Sequence, residues 1–185
     1  MPCIYIRNST SLVTANALQQ IITDANSIAA DIIIITETWL KTKHADDALV
    51  ISRFCLRKNR LEQREGGVCA HARQGDVQTI QNTEDLWFTV TLDFSLSLNI
   101  CACYHPLKPL YYVSTFKQYL ADNISWPSHN DPNSIFVLTC DVNQLYISEL
   151  QTNLRLNPLT SATRGSEYKF FSNWRRYLGN RVVYN

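Results

Sequence analysis

Two carboxylates, Glu37 and Asp141, each follow a run of apolar residues near the end of a predicted strand. Because the ends of neighbouring central strands can meet at one edge of a sheet, the two side chains could converge on a single site. Carboxylate oxygens suit a hard divalent cation, Mg²⁺ or Mn²⁺, which can polarise a phosphoryl oxygen and activate water. On position alone, a strand-end carboxylate is more often a cap or a solvated turn residue, so both interpretations stay open.

The apolar spacing predicts helices and strands packed around a core. Helical spacing predicts a helix over 14–29, and the four isoleucines at 32–35 predict a strand that is buried on both faces. Alternation predicts an antiparallel hairpin of 86–92 with 98–104 and one buried face. Further predictions are strands at 50–55, 68–72 and 135–138, a second helix at 112–123, and a loop at 125–133. This mixture favours an α/β or α+β fold with stacked layers.

Composition restricts the class of protein. The 185 residues, 45% of them hydrophobic, suit one domain with a sizeable core, and the net charge of +1 excludes a basic field over the whole surface. Neither a signal peptide nor a membrane span is apparent, so we expect an intracellular protein of the nucleus or cytoplasm. The six cysteines lack Cys-x-x-Cys spacing. Cys101 and Cys103 share a strand face, where buried apolar roles are favoured over a metal or redox pair, and the compartment is expected to be reducing.

The residues around Glu37 resemble a known motif. The stretch Asp31–Leu40 reads DIIIITETWL. It closely resembles the strand-to-loop motif D-I-I-x-I-T-E-T-W-L of the apurinic-type endonuclease domain of non-LTR retrotransposons, a branch of the endonuclease/exonuclease/phosphatase superfamily. In that family the Glu of this motif ligates the catalytic metal.

Five further stretches resemble family motifs in the expected order, each with a departure. Asn8–Leu12 is similar to Asn-x-Arg-Ser-Leu but has Thr for Arg, and Tyr104–Pro106 is similar to Tyr-Arg-Pro but has His for Arg. Arg57–Arg60 has Asn where the family's Arg-x-Asp-Arg has Asp, and Glu65–Val68 has Glu for one Gly of Gly-Gly-Gly-Val. Cys140–Asn143 is similar to Gly-Asp-Phe-Asn but has Cys for the Gly and Val for the Phe.

The resemblance implies a four-layer α/β/β/α sandwich of two packed mixed sheets, and Mg²⁺- or Mn²⁺-dependent cleavage of DNA. It implies that Glu37 is the principal metal ligand and that Asn8 supports the metal or its waters. Tyr104 would hydrogen-bond the scissile phosphate, Asp141 would transfer protons, and Asn143 would orient the phosphate or Asp141. Asn8 could instead be a turn or cap residue, and Tyr104 could instead be a core aromatic.

The C-terminal motifs of the family are incomplete. Thr163–Gly165 matches the start of a Thr-Arg-Gly segment, but no Asp follows it, and the chain contains no Ser-Asp-His. All the histidines precede Asp141; they are His44, His71, His105 and His129. We therefore expect a single domain over 1–185 that is incomplete at its C-terminus. Its last strand or strands would be missing, a sheet edge would be exposed, and nuclease activity would be weak or absent.

The resemblance implies DNA as the partner and a reverse transcriptase domain in the parent element. We also expect the chain to be a monomer. A basic cluster could contact DNA phosphates or form an ordinary solvated loop; it comprises Arg57, Lys58, Arg60 and Arg64. Trp39 is expected to pack beneath the strand-end loop. Two other functions stay open: a non-catalytic remnant that binds nucleic acid or protein, and a phosphodiesterase or phosphatase acting on a small phosphorylated substrate.

Overall fold

A computed structural model describes residues 2–41, 43–59, 66–73, 77–82, 85–91, 97–130, 135–141, 148–149, 152, 156–158, 168–172 and 182–184. The strands are β1 (Ile4–Asn8), β2 (Ile32–Thr36), β3 (Phe54–Asn59), β4 (Val68–Arg73), β5 (Val77–Asn82), β6 (Asp85–Thr91), β7 (Ser97–Tyr104), β8 (Ile135–Asp141), β9 (Asn157–Pro158), β10 (Tyr168–Ser172) and β11 (Val182–Tyr184). The helices are α1 (Ala17–Ser27) and α2 (Val113–Asn130), with a short 3₁₀ helix at Asp46–Leu49.

These strands form two mixed sheets. The first has the order β11-β1-β2-β4-β3, and the second has the order β5-β6-β7-β8-β10-β9. In the first sheet β1 runs parallel to β2 and to β11, while β2 and β4 are antiparallel. In the second sheet β7 runs parallel to β8, while β6 and β7 are antiparallel. Each sheet therefore contains a pair of parallel strands whose carboxyl ends lie at the same end of the sheet.

Three apolar clusters separate the layers. The central cluster packs side chains of the two sheets against each other, including Ile34 of β2 and Val137 of β8. A second cluster packs α1 on the first sheet, and a third packs α2 on the second sheet. The layers are therefore helix, sheet, sheet and helix, which confirms the predicted α/β/β/α sandwich.

The isoleucine run explains why β2 lies at the centre of its sheet. All five residues of β2 are buried. Ile32 and Ile34 belong to the central cluster, whereas Ile33 and Ile35 face the α1 side, as the two-residue period of a strand requires. Full burial of one such side chain is worth about 1.5–3 kcal/mol. The prediction of a strand buried on both faces is confirmed.

The hairpin of β6 and β7 is confirmed, but the prediction of one buried face is wrong. Leu86 and Phe88 face the other sheet, as expected, while Trp87 and Cys101 on the opposite face pack beneath α2. Polar residues such as Thr89 made that face look solvent-exposed in the sequence. They lie near the far end of the hairpin, where β6 becomes half-buried and then exposed.

Two other boundaries also differ from expectation. Helix α2 continues to Asn130 through most of the predicted loop 125–133. The turn-forming residues of this stretch have only a weak intrinsic preference against helix, and the structural context can override it. The strand predicted at 50–55 begins only at Phe54. Val50 follows the 3₁₀ helix directly and donates its backbone N–H to Asp47, so the chain is still turning there.

A buried carboxylate fixes α2 to the second sheet. Asp85 of β6 accepts a hydrogen bond from Trp87 Nε1 and another, 2.5 Å long, from the Tyr119 hydroxyl on α2. Burial, together with the Asp85 carboxylate, raises the pKa of Tyr119, so the phenol stays protonated and remains a donor. Helix α2 already packs its apolar side chains on the sheet. The hydrogen bond from Tyr119 to Asp85 also fixes its position along the sheet.

The two cysteines of β7 differ from each other in the structure. Cys101 is free and buried, whereas Cys103 is disulfide-bonded, which corrects the expectation that both are simply buried apolar residues.

In the described part of the chain, no helix has the length and apolarity to cross a membrane. β1 pairs with β11, and the expectation of an exposed sheet edge stays a prediction.

His71 on β4 is completely buried, and burial lowers its pKa from 6.5 to about 4. The unfolded chain exposes an ordinary histidine with a pKa of about 6.5. Between these two values the unfolded state binds a proton that the folded state does not, so stability should fall as the pH drops from 6.5 to about 4. The loss should approach about 3 kcal/mol.

We expect His71→Leu to lose this part of the pH dependence. The free energy of unfolding, measured by urea denaturation at several pH values between 7 and about 4, should decline less steeply in the variant than in the wild type. Equal declines in the two proteins would show that His71 is not the titrating group.

Candidate functional site

The strand ends place the predicted site residues at one edge of the sandwich. β1 and β2 are parallel, and their last residues, Asn8 and Thr36, are register partners. β7 and β8 are also parallel, and their last residues, Tyr104 and Asp141, are register partners. Glu37 follows Thr36 directly. The carboxyl ends of four strands, two from each sheet, thus supply the candidate residues.

A hydrogen bond between the two sheets joins these ends. Asn8 Nδ2 donates to Asp141 Oδ2 at 3.0 Å, linking β1 of the first sheet to β8 of the second across 133 positions of sequence. The other end of the amide is fixed as well, since Asn8 Oδ1 accepts from the Thr10 backbone N–H at 2.8 Å. Asp141 is 5% exposed, so the contact lies at the rim of the core.

Glu37 lies beside this pair on the neighbouring strand. The Ser9 backbone N–H donates to Thr36 O at 3.1 Å, and the Ser9 hydroxyl donates to Glu37 O at 3.0 Å. These contacts hold the residue after Asn8 against the backbone of Glu37. The Glu37 side chain is half-buried, so it lies at the solvent-facing end of the two strands.

The turn at Glu37 has an unusual backbone. Glu37 and Trp39 adopt φ angles of 52° and 51°, and Thr10 on the facing loop adopts 53°. Non-glycine residues rarely occupy this left-handed region, which costs on the order of 1–3 kcal/mol each and is concentrated at functional sites. These three residues account for half of the six described non-glycine residues with positive φ.

Hydrogen bonds to two neighbouring segments hold this turn. The Thr38 and Trp39 N–H groups donate to Gly67 O and Gly66 O at 3.2 and 2.9 Å. The Leu12 N–H donates to Thr38 O at 3.0 Å. The backbone around Glu37 is therefore fixed from both sides, and this arrangement offsets the cost of its conformation.

Gly66 is a site residue whose role the sequence reasoning missed. It has a φ of 102°, and a Cβ atom there would lie 3.0 Å from Cε1 of the Tyr104 ring. Tyr104 is 6% exposed and belongs to the central cluster. Its ring is thus held between the core and the Gly66 backbone. The Gly66-Gly67 pair was the available indication, because adjacent glycines mark positive φ or a close backbone approach.

Two histidines with described side chains, His71 and His105, face surroundings other than the candidate site. His71 is buried in the first sheet. His105 follows Tyr104 directly, but its ring stacks on Phe116 and its Nδ1 lies 2.9 Å from the Tyr111 hydroxyl. Burial lowers the pKa of His105. Its backbone N–H donates to Asp141 O at 2.8 Å, so the residue positions the end of β8 while its side chain packs elsewhere.

Several predicted residues lie outside the described part of the chain. Asn143 follows β8 beyond its last described residue, and Arg60 and Arg64 also fall outside. Arg57 and Lys58 belong to β3, at an edge of the first sheet, but the structure describes only their backbone. Their predicted roles stay predictions.

The oxygen atoms of the described candidate residues are of the kind that binds a hard divalent cation. Glu37 and Asp141 are carboxylates, and the Asn8 amide oxygen has a second lone pair beyond the one that Thr10 uses. Oxygen ligands and a small number of carboxylates suit Mg²⁺, which keeps several waters. Three or more His, Cys, Asp or Glu side chains do not cluster anywhere in the described residues. A site here would thus depend on an amide and water besides carboxylates.

We expect Gly66→Ala to destabilise the fold by about 1–3 kcal/mol, because the new Cβ meets the Tyr104 ring and the backbone φ is strained. Urea denaturation would measure the loss. If the ring contact contributes, Tyr104→Leu should lower the cost of Gly66→Ala in a double-mutant cycle. An unchanged midpoint in Gly66→Ala would contradict the close approach.

Comparison with known proteins agrees with this architecture. Neither a protein-family model nor a curated protein sequence matches the chain. Among solved structures, the AP endonuclease LMAP from Leishmania major has a TM-score of 0.64 and 11% identity, covering 91% of this chain and 77% of its own. An AP endonuclease from Archaeoglobus fulgidus has a TM-score of 0.59 and 12% identity, covering 94% and 87%.

A third solved structure is D. rerio TDP2 complexed with a single-strand DNA product. Its TM-score is 0.57 at 9% identity, and the match covers 96% of this chain and 86% of that one. Identities this low show the fold alone. The chain has the two-sheet α/β fold of these two AP endonucleases and of TDP2.

Proposed function

We propose that this chain is a metal-dependent, endonuclease-like domain of a non-LTR retroelement that hydrolyses phosphodiester bonds in DNA, at a low rate. The observation that carries the proposal is the Asn8–Asp141 hydrogen bond, which brings together two of the predicted site residues from different sheets. Glu37 stands on the strand beside Asn8, and Tyr104 stands on the strand beside Asp141.

Each side chain then has a role suited to its chemistry. Glu37 would hold the Mg²⁺ or Mn²⁺ ion, with Asn8 supporting the ion or its waters. The bound ion would supply a Lewis acid for a phosphoryl oxygen and a more acidic water. Asp141 would move the proton at the nucleophile or leaving group, in an orientation fixed by Asn8 Nδ2. The Tyr104 hydroxyl would donate to a phosphate oxygen without repelling it.

The low rate follows from the residues that the sequence lacks. The chain contains no Ser-Asp-His, and all four histidines precede Asp141. His71 and His105 are buried and have other surroundings. In the family, the histidine of Ser-Asp-His would supply a general acid–base contribution or a phosphate donor, and each is worth on the order of 10²–10⁴ in rate.

The retroelement origin and the DNA substrate rest on different observations. The Thr36–Leu40 sequence, which resembles the retrotransposon motif, supports the origin and hence a reverse transcriptase domain in the parent element. The similarity to AP endonucleases and to TDP2 bound to a DNA product supports DNA as the substrate. The alternatives are a non-catalytic binding remnant and a hydrolase of small phosphorylated molecules.

We expect slow nicking of supercoiled plasmid in Mg²⁺ or Mn²⁺, and none in EDTA. Glu37→Gln should abolish it by removing the charge that holds the ion, while stability is retained because Glu37 is only half-buried. Gel electrophoresis would quantify nicked plasmid. Nicking that persists in Glu37→Gln would contradict the assigned site.

The second variant, Tyr104→Phe, keeps the ring against Gly66 and removes only the hydroxyl. We expect its nicking rate to fall at least about tenfold while the variant still folds, which circular dichroism melting would check. Rapid cleavage of a small phosphodiester, with no nicking of plasmid, would favour the alternative hydrolase. Plasmid binding with no hydrolysis of either substrate would favour the non-catalytic remnant.

A further inference from the structure

A small open pocket lies directly after the turn at Glu37. Its lining residues come from the loop before α1 and from the segment after β2, and they are Val13, Trp39, Lys41, Lys43 and His44. The backbone hydrogen bond from Leu12 to Thr38 O holds the two segments together. The pocket is therefore attached to the same strained turn that places Glu37 at the candidate site.

The lining is rich in hydrogen-bond donors. Lys41 and Lys43 are exposed ammonium groups. The Trp39 indole Nε1 is buried and has no acceptor among the described residues. Trp39 was expected to be structural, and its side chain also contributes to the lining of this pocket.

His44 adds a donor of fixed orientation. Its Nδ1 accepts the Lys41 backbone N–H at 2.8 Å, and the His44 N–H donates back to Lys41 O at 3.0 Å. With Nδ1 engaged as an acceptor, the hydrogen of the neutral ring lies on Nε2. The reciprocal bonds hold His44 close to the Lys41 backbone.

The pocket carries positive charge without an internal counter-charge. None of the described residues that line it is acidic, and neither of its lysines forms an ion pair with another described residue. By contrast, Lys117 on α2 is paired with Glu149. Asp46 and Asp47 begin the 3₁₀ helix just beyond the loop, outside the lining. An anion is the occupant that this lining favours.

We propose that this pocket binds a phosphodiester group of the substrate strand, adjacent to the one that is cleaved, through Lys41, Lys43 and His44. The proposal rests on the proposed function, since it takes the same DNA as its ligand. Glu37 lies two residues before Trp39 on a backbone fixed by hydrogen bonds, so a phosphate held in the pocket sets the position of the strand relative to the metal site.

The test is the salt dependence of DNA binding by the full chain. Fluorescence anisotropy with a labelled 20-base-pair duplex in EDTA measures binding without cleavage, over a range of KCl concentrations. For the double variant Lys41→Ala/Lys43→Ala we expect affinity to fall on the order of tenfold. The slope of log K against log [KCl] should become less steep by about 1, as expected for the loss of one neutralised phosphate.

Three comparisons make the result specific. Lys117→Ala removes a lysine that is already paired and should keep the wild-type slope. Lys41→Arg/Lys43→Arg keeps the charge and should also keep the slope. His44→Phe keeps an aromatic ring and removes the ring nitrogens, so affinity should fall about two- to tenfold. Circular dichroism melting checks that each variant is folded.

A folded Lys41→Ala/Lys43→Ala variant that matches Lys117→Ala in affinity and slope overturns the proposal, and so does a wild-type chain that binds no duplex. The outcome is separable from that for hydrolysis. A reduced slope without any nicking upholds the phosphate pocket and contradicts the catalytic proposal. Glu37-dependent nicking with an unchanged slope upholds catalysis and contradicts the pocket.

Discussion

The hydrogen bond between Asn8 and Asp141 is the contact on which the candidate site depends. The core between the sheets is apolar and non-directional, so it fixes their separation better than their register. A donor–acceptor pair of 3.0 Å at the rim adds a directional restraint between β1 and β8. It thereby sets where the end of one sheet lies against the end of the other. The proposed roles of Asn8 and Asp141 in phosphate chemistry both depend on this position.

The turn at Glu37 shows how local strain is maintained. Two left-handed residues with Thr38 between them would be unfavourable in an isolated peptide. Here β2 is anchored by buried isoleucines, and three backbone hydrogen bonds hold the residues that follow. The strain gives a sharp change of direction in which Glu37 serves the strand-end site and Trp39 lines a neighbouring pocket. One turn would therefore connect the proposed metal site to the proposed phosphate pocket.

Much of the fold could be predicted from the sequence, because its signals are periodic. The isoleucines of β2 and the alternation in β6 and β7 indicated the strands, and the four-layer arrangement came from the resemblance. The pairing of Trp87 with Asp85 beneath α2 could not be predicted, since it depends on which helix covers the sheet. The end of α2 was also missed, because polar residues such as Asn130 favour loops only on average.

The positions of the candidate residues at strand ends were more predictable than their contacts. Asn8, Glu37, Tyr104 and Asp141 do lie at the ends of paired strands, but the sequence indicated Asn8 as a support for the metal. It gave no sign of the Asn8–Asp141 bond, which joins positions 133 residues apart. The close approach of Gly66 to Tyr104 likewise arises only when the two sheets are packed.

The central claim is that a divalent ion binds where these strand ends meet, and paramagnetic broadening by Mn²⁺ tests it most directly. In a ¹H–¹⁵N spectrum of the full chain, substoichiometric Mn²⁺ should broaden the amide signals of Asn8, Glu37 and Asp141 first, and Glu37→Gln should reduce the effect. Broadening centred on the exposed pair Asp46 and Asp47, or equal broadening in wild type and Glu37→Gln, would contradict the account.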